Sequence, residues 1–208
     1  DNAGDGFDLR VDQLVLNECR AINNTNGIHL WRNAHVQNTI VHDNLESGVI
    51  LDRLVGGSPV HDLVNVTVAG RHSEAGIAVR EGVAASISNT ISVGGRGAAL
   101  RVDDPGTSLT VRRMIVHTSG VAGEPAIRIG RGTAAQPALQ SASLMEQFGG
   151  EIVEIDDPEV LFEDYAIGDL RLRADSPARD TGVDQVAPDY DILRNRRGSD
   201  NGRFDVGA

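Results

Sequence analysis

The sequence is poor in cysteine and lysine, and each shortage excludes something. Cys19 is the only cysteine among 208 residues, so an internal disulfide and a zinc site built from several thiolates are both excluded. Lysine is absent, so the 19 basic residues counted apart from histidine are all arginines. They stand against 30 acidic residues, which gives a formal net charge of −11. A surface this acidic argues against unassisted binding to nucleic acid or to anionic membranes.

Aromatic side chains and long apolar runs are scarce as well. Aromatic residues make up 3% of the chain, whereas glycine occurs 24 times. A core of valine, isoleucine, leucine and alanine with glycine-rich turns is typical of stacked short strands. No apolar run approaches the roughly 20 residues of a membrane-spanning helix, so membrane insertion is not expected. The sequence begins at Asp1 without a methionine or a signal peptide, so we interpret it as a mature form or a part of a longer protein.

A pattern of alternating apolar and variable residues returns six times, each time after a glycine or an alanine. The copies are GFDLR at Gly6, GIHLWR at Gly27, GVILDR at Gly48, GIAVRE at Gly76, ALRVDD at Ala99 and AIRIGR at Ala126. They follow one another at steps of 21, 21, 28, 23 and 27 residues. Because the alternation has a period of two, it predicts strands with one buried face. We expect Ile28 and Leu30 to point inward, and His29 and Trp31 to point outward.

A second set of strand-like runs lies between these copies. NTIVHDN begins at Asn38, NVTVAGR at Asn65, NTISVGG at Asn89 and RMIVHTS at Arg113, and LVLNECR at Leu14 is a looser member. One unit is too small to bury its apolar face alone, whereas stacked units bury a continuous core. The sequence therefore predicts an all-β solenoid, a parallel β-helix of about six rungs. A β-sandwich is the alternative, although it would not explain why one pattern returns in every unit.

The C-terminal part of the chain breaks the repeat and carries motifs of its own. GDLRLRADSPARDTG begins at Gly168, and DYDILRNRRGSDNGRFDVGA begins at Asp189. This part resembles the closing segment of bacterial right-handed parallel β-helix proteins of the pectin-lyase-like superfamily, which often end in SPAIDAG, DIDGNPR and DIGAYE elements. The counterparts here are Leu170, Leu172, Ser176, Pro177, Ala178, Asp180, Gly182, Asp191, Asn195, Arg197, Asp205, Gly207 and Ala208. The chain departs from the pattern at Arg179 and Arg194, and it stops before the aromatic ending.

The resemblance implies a domain organisation. It suggests a single-stranded right-handed parallel β-helix over residues 1–158, followed by a C-terminal capping segment over residues 159–208. A cap has a physical purpose, because the last rung of a solenoid exposes unpaired backbone and core side chains. No equivalent N-terminal cap is visible. We therefore expect further rungs upstream, a partner at that end, or end-to-end self-association through the edge around Phe7 and Leu9.

The repeat aligns outward side chains into two columns, with neighbouring rungs about 4.8 Å apart. One column is Asp8, His29, Ile50, Ala78, Arg101 and Arg128, and the next is Arg10, Trp31, Asp52, Arg80, Asp103 and Gly130. The candidate substrate-binding residues are His29, Trp31, Asp52, Arg80, Arg101 and Asp103. Arginine and aspartate can hydrogen-bond sugar hydroxyls and carboxylates, and a tryptophan can stack on a sugar ring. The alternative is that these residues pair with one another for solubility, each pair contributing at most about 1 kcal/mol.

Catalytic residues cannot be assigned from these columns. Inverting glycosidases hold two carboxyl groups roughly 6.5–9.5 Å apart. Asp52 and Asp103 are two rungs apart, which predicts about 10 Å. A lyase would need Arg80 or Arg101 as its base, with a strongly lowered pKa. The Gly-His-Gly element of polygalacturonases and the Asp-Pro-His signature of alginate epimerases are both absent.

No metal ligand or cofactor is assigned either, and calcium is left open. GDGFDL at Gly4 resembles one copy of a calcium-binding nonapeptide repeat, but such sites need tandem copies. The acidic run EIDDPEVLFEDY at Glu154 could supply the six to eight oxygens that calcium takes. A solvated acidic loop is the alternative interpretation of this run.

Three functional hypotheses remain. The first is an extracellular or cell-envelope module, secreted or on the cell surface, that presents a flat face to a polysaccharide or a cell-surface partner. The second is a polysaccharide lyase or glycoside hydrolase that acts on an acidic polysaccharide. The third is an architectural rod, such as a fibre or adhesin subunit. One β-helix scaffold can carry any of these functions, so the fold alone does not choose among them.

Overall fold

The computed structural model describes residues 3–117, 125–130, 150–183, 185, 187–198 and 203–207. These residues form a β-solenoid of about five turns built from parallel sheets, with almost no helix. The predicted all-β parallel β-helix is therefore confirmed. Two 3₁₀ helices, Pro158–Val160 and Tyr165–Ile167, are the helical elements of this part of the chain.

The strands are short and follow one another closely. In chain order they are β1 (Phe7–Leu9), β2 (Leu14–Asn17), β3 (Arg20–Ile22), β4 (Asn26–Leu30), β5 (Ala34–His42), β6 (Ser47–Leu51), β7 (Val60–Ala69), β8 (Ala75–Val79), β9 (Ala84–Ser88), β10 (Thr90–Ser92), β11 (Ala98–Val102), β12 (Leu109–Val111), β13 (Arg113–His117), β14 (Ile127–Ile129), β15 (Glu151–Ile155), β16 (Phe162–Asp164) and β17 (Asp169–Leu172). A six-stranded sheet has the order β1-β4-β6-β8-β11-β14. A nine-stranded sheet is formed by β2, β3, β5, β7, β9, β10, β12, β13 and β15. Strands β16 and β17 form an antiparallel pair.

The pairing register of the six-stranded sheet reproduces the rungs that the sequence predicts. Each partner lies one repeat further along the chain, in the series Phe7, Ile28, Val49, Ile77, Leu100 and Ile127. The side chains of Ile28 and Leu30 are fully buried, as expected. They pack with residues of the nine-stranded sheet, such as Val36 and Val41, in one continuous core. Stacking thus buries a face that no single turn could bury.

Glycine opens the early strands of the six-stranded sheet because the turns approach one another closely there. A Cβ atom on Gly48 would lie 2.3 Å from the Cγ1 atom of Val68 and 2.6 Å from the carbonyl oxygen of Gly76. Neither distance is compatible with a real side chain. Gly48 therefore marks a close approach both to the next turn and to the facing strand β7.

The nine-stranded sheet changes direction at a column of asparagines. Asn38, Asn65 and Asn89 align in register and take left-handed backbone conformations, with φ of 48°, 50° and 48°. Asparagine tolerates this conformation better than most residues. Strands β5 and β7 run through the corner, whereas β9 and β10 lie on either side of it. We call these three residues the asparagine ladder.

The described residues of the C-terminal segment (159–208) leave the stack after β15 and lie along its flank. Their apolar side chains Leu161, Phe162, Ala178 and Val206 are buried against the nine-stranded sheet, where they meet Ala69, Ile91, Val93 and Ile115 in a second core. The predicted cap over the end of the solenoid is not confirmed. The contacts of this segment instead run across several turns, because the outer face of the nine-stranded sheet is itself apolar.

The asparagine ladder supplies the polar side of this contact. The Asn65 side-chain amide donates to the carbonyl oxygens of Asp205 and Gly207, at 3.0 and 2.8 Å. Asn89 accepts from the backbone amide of Val183 at 2.6 Å and donates to the carbonyl of the same residue at 3.0 Å. Asn38 donates to the carbonyl of Tyr190 at 2.8 Å. The ladder therefore holds the C-terminal segment at three successive turns.

The motif residues of the C-terminal segment support this arrangement. Ser176 and Ala178 are buried, and Asp180 has a positive φ of 57° with its backbone amide donating to Asp205 at 2.9 Å. The Gly182 amide donates to the carbonyl of Phe204 at 2.7 Å. Ala208, the last residue of the predicted motif, lies outside the described residues.

Candidate functional site

The outer face of the six-stranded sheet carries the six candidate residues, but they fall into two groups. The register places Asp8, His29, Ile50, Ala78, Arg101 and Arg128 in one column. Ile50 and Ala78, in the middle of this column, are buried. Charged side chains therefore collect on both sides of an apolar gap. One group contains His29, Trp31 and Asp52, and the other contains Arg80, Arg101 and Asp103.

Asp103 is the centre of the second group. We call Arg80, Arg101, Asp103 and Glu74 the arginine cluster. Its carboxylate lies 3.3 Å from Nη1 of Arg80 and 3.2 Å from Nε of Arg101. Glu74 approaches the same two arginines, at 3.7 and 3.3 Å. The side chain of Asp103 is only 7% exposed, whereas that of Glu74 is 45% exposed. The buried carboxylate of Asp103 thus holds the two arginines on the side facing the sheet, and the side carrying Glu74 is open to solvent.

Backbone pairing explains why these side chains meet. Arg80 directly follows β8, and its amide donates to the carbonyl of Leu51 at 2.9 Å. Asp103 directly follows β11, and its amide donates to the carbonyl of Val79 at 2.9 Å. The residues are therefore stacked one turn apart at the ends of adjacent strands. The predicted charged ladder exists for Arg80, Arg101 and Asp103, whereas the carboxylate of Asp52 is directed to His29 and to the amide of Arg53.

An open groove of about 790 Å³ runs over the arginine cluster. It is lined by Asp52, Arg53, Val55, Gly56, Glu74, Arg80, Glu81, Arg101, Asp103, Arg128 and Gly130. Four of these residues are arginines and four are carboxylates, so the lining is formally neutral in a chain of net charge −11. The loop after β6 forms one wall, because the 28-residue step of the repeat inserts extra residues there. The groove is therefore a local exception to the acidic surface.

His29 and Trp31 form the heart of the first group. Their rings stack with centroids 4.2 Å apart and an interplanar angle of 25°. The Trp31 indole N–H donates to Asp8 at 2.5 Å, and the guanidinium carbon of Arg10 lies 5.1 Å from the indole centroid. The indole is thus engaged by protein neighbours. A sugar ring could stack on it only by sharing or displacing these contacts.

His29 is held between two carboxylates. Its Nδ1 atom lies 3.2 Å from Oδ2 of Asp5, and its Nε2 atom lies 3.2 Å from Oδ2 of Asp52. The Asn26 side-chain amide donates to the other oxygen of Asp5 at 2.8 Å. We call Asp5, Asp8, His29 and Asp52 the histidine cluster. It lies between turns, since each of its contacts joins residues about one repeat apart.

Two members of these groups were not predicted. Asp5 and Glu74 both lie in the turns just before a rung, where the alternating pattern has not yet begun. The signal that could have found them is positional. Asp5 aligns with Asn26 one turn later, and the amide of Glu74 donates to the carbonyl of Glu46 at 2.8 Å. Asp5 thus lies one position before its rung, in the column of Asn26, whereas Glu74 lies two positions before its rung, in the column of Glu46.

The most strongly perturbed histidine lies away from the groove. Burial lowers the pKa of His72 to about 4, and its side chain is fully enclosed between turns. Burial also lowers the pKa of His61, whereas the hydrogen bond that His35 donates to the Asp62 carboxylate raises the pKa of His35. Such a buried ring cannot reach a polymer on the surface. The pKa of His72 therefore bears on stability and not on catalysis.

The acidic run beginning at Glu154 does not converge on a common point. Asp157 and Asp164 accept hydrogen bonds from backbone amides at the starts of the two 3₁₀ helices. Within the described ranges, the group of residues that brings three metal-ligand atoms together is Asp5, Asp8 and His29. The candidate metal position thus lies at the first rung, in the GDGFDL stretch, and not in the acidic run.

No family model, curated protein or solved structure matches this chain. The resemblance to the pectin-lyase-like superfamily is therefore not confirmed beyond the β-solenoid itself. No helix in the described part of the chain is long and apolar enough to cross a lipid bilayer.

Proposed function

We propose that the protein is a recognition module that binds an acidic polysaccharide along the outer face of its six-stranded sheet, with the groove over the arginine cluster as the main contact. One observation carries the proposal. In a strongly acidic chain, four arginines line a single open groove, and Arg80 and Arg101 are held in place from below by Asp103. Guanidinium groups fixed in this way can make paired hydrogen bonds to uronate or sulfate groups.

The dimensions of the solenoid support an extended ligand. Successive turns repeat about every 4.8 Å, so Arg101 and Arg128, which pair in register, are spaced by about the length of one sugar residue. The exposed carboxylate of Glu74 would be displaced by an acidic group of the ligand, while Asp103 would keep the arginines oriented. This role implies a secreted or cell-surface protein. The superfamily resemblance at the C-terminus is consistent with it.

The test is a binding experiment with a panel of acidic and neutral polysaccharides, with and without calcium. Polymer length and bound fraction are followed by size-exclusion chromatography. We expect an acidic polymer to bind, and Arg80→Gln and Arg101→Gln each to weaken that binding by about tenfold or more. Arg112→Gln is the matched control, since Arg112 is exposed at a corner of the nine-stranded sheet. Equal losses in all three variants would overturn the proposal.

A second candidate function is cleavage of the same polymer. It is favoured by the presence of Asp52 and Asp103, two carboxylates, in one groove with arginines. Shortening of the polymer in the same experiment would identify a lyase or a glycoside hydrolase. Absence of both binding and shortening would leave the architectural rod, for which the outer edge of β1 at the end of the six-stranded sheet offers a surface for end-to-end self-association.

A further inference from the structure

The two contacts of His29 cannot both be satisfied by a neutral ring. Nδ1 faces Asp5 and Nε2 faces Asp52, each at 3.2 Å. A neutral imidazole carries a proton on one nitrogen only, so its other nitrogen would present a lone pair to a carboxylate. A second proton, on the ring or on one of the carboxyl groups, would satisfy both contacts. A metal ion between His29 and one of the carboxylates would also do so.

Asp8 provides the third ligand that a metal ion needs. One ligand atom from each of Asp5, Asp8 and His29 lies within 4.8 Å of the others. With bonds of about 2.0–2.2 Å, two ligands of one metal are separated by roughly 3.0–3.5 Å. The 3.2 Å between His29 and Asp5 lies within this range. The spacing of His29 and Asp5 therefore suits one metal ion, and the Asp8 carboxylate lies near enough to join them by a side-chain adjustment.

Each prospective ligand is oriented by a second residue. The Asn26 amide donates to Asp5, the Trp31 indole N–H donates to Asp8, and Asp52 lies on Nε2 of His29. A histidine that binds metal through one nitrogen and donates from the other to a carboxylate is a recurrent arrangement in metalloproteins. The side chains of His29 and Asp5 are 14% and 21% exposed, so the site is shielded but reachable.

The charge of the group also matches a divalent ion. Asp5, Asp8 and Asp52 contribute three negative charges, and Arg10, 3.1 Å from Asp8, contributes one positive charge. The net charge of these four residues and a neutral His29 is therefore −2. One imidazole and two carboxylates favour zinc, cobalt or nickel over calcium, which prefers six to eight oxygens.

We propose that Asp5, Asp8 and His29 bind one divalent transition-metal ion, with water in the remaining coordination position and Asp52 orienting His29. The site joins the first three turns of the solenoid, since Asp5, His29 and Asp52 lie on successive rungs. None of the three ligands belongs to the arginine cluster, although Asp52, which orients His29, also lines the groove.

The test uses the full chain, freed of metal with a chelator and titrated with Zn²⁺ by calorimetry and with Co²⁺ by visible absorption. We expect one equivalent to bind with a micromolar or lower Kd. His29→Gln and Asp5→Asn should each weaken binding by about tenfold or more, and Asp52→Asn by roughly 10- to 100-fold. X-ray absorption of the zinc form should show one nitrogen ligand among oxygens.

His35→Gln is the matched control. His35 lies 2.8 Å from Asp62 and 3.1 Å from Gln37, so it forms a histidine–carboxylate pair without a third ligand. Circular dichroism checks that each variant is folded. If His29→Gln does not fold, Asp5→Asn takes its place in the comparison with the control. The proposal is overturned if the folded wild-type chain binds no Zn²⁺ saturably, or if His35→Gln weakens binding as much as His29→Gln. It is also overturned if ¹⁵N NMR finds both nitrogens of His29 protonated at neutral pH with Zn²⁺ present.

Discussion

Acid should destabilise this solenoid through His72, and the size of the effect follows from its burial. His72 lies in the turn between β7 and β8 with a fully buried side chain, and its ring is packed against Gly76 and Gly95. Burial lowers its pKa from 6.5 to about 4. In the unfolded chain the ring takes up a proton below about pH 6.5, whereas in the folded protein it stays neutral down to about pH 4.

The sign of the effect is therefore fixed. Between these two pH values the unfolded state binds more protons, so the free energy of unfolding falls as the pH falls. A difference of about 2.5 pKa units corresponds to about 3 kcal/mol over this interval. Replacing His72 by glutamine removes a titrating group while keeping a polar side chain of similar size. The variant should lose most of this pH dependence, whatever its stability at pH 8.

The assay is urea unfolding between pH 4 and 8, followed by circular dichroism and by the fluorescence of Trp31, the only tryptophan. His35→Gln provides a control of opposite sign. The hydrogen bond from His35 to the Asp62 carboxylate raises the pKa of His35. The contribution of His35 to stability is therefore complete below pH 6.5 and is lost as the pH rises through its folded pKa. Wild-type and His72→Gln curves that run parallel from pH 7 to 4 would refute the reasoning.

Three further predictions concern packing and charge. Asn65→Ala should lower the free energy of unfolding by about 2–3 kcal/mol, because it removes the two hydrogen bonds to the C-terminal segment and places alanine at a φ of 50°. Denaturant titration measures this loss, and an unchanged midpoint would contradict the role of the asparagine ladder. Gly48→Ala should lower the free energy of unfolding by about 1–3 kcal/mol, because the new methyl group would overlap with Val68. Thermal melting measures the change, and a variant more stable than the wild type would show that the strands can move apart to admit the methyl group. Asp103→Asn removes the charge that neutralises Arg80 and Arg101, so it should lower the free energy of unfolding by about 1–3 kcal/mol at low salt. Urea titration measures this loss, and an unchanged free energy of unfolding would show that Glu74 alone is a sufficient partner.

The rungs of the six-stranded sheet could be predicted because they depend on a local property. A period of two in apolar residues decides which side chains enter the core, and the glycine that opens the first four copies marks a close approach to the next turn. The uneven step of 28 residues was visible for the same reason, since extra residues in a loop do not disturb the alternation. Residues such as Leu100 and Ile127 thus reveal their rung from sequence alone.

The partners of the surface residues could not be predicted in the same way. Alignment placed Trp31 and Asp8 one turn apart, but nothing in the pattern indicates that the indole bonds to that carboxylate. Asp5 and Glu74 lie in turns, where no periodicity identifies them. The position of the C-terminal segment along the flank could not be predicted for a related reason. Its position depends on hydrogen bonds between asparagine side chains and backbone carbonyls some 140 residues away, and carbonyls have no sequence signature.

The asparagine ladder imposes an order of events on folding. Asn38 bonds to a carbonyl 152 residues further along the chain, so its partner does not exist while the early turns are being synthesised. At about 5–20 residues per second, a ribosome would add that residue roughly 8–30 s later. During this interval water must hydrogen-bond the asparagine side-chain amides at the early corners. The apolar outer face of the nine-stranded sheet is also exposed to solvent. Docking of the C-terminal segment is therefore expected late in folding, because contacts between residues so far apart in sequence are slow to form.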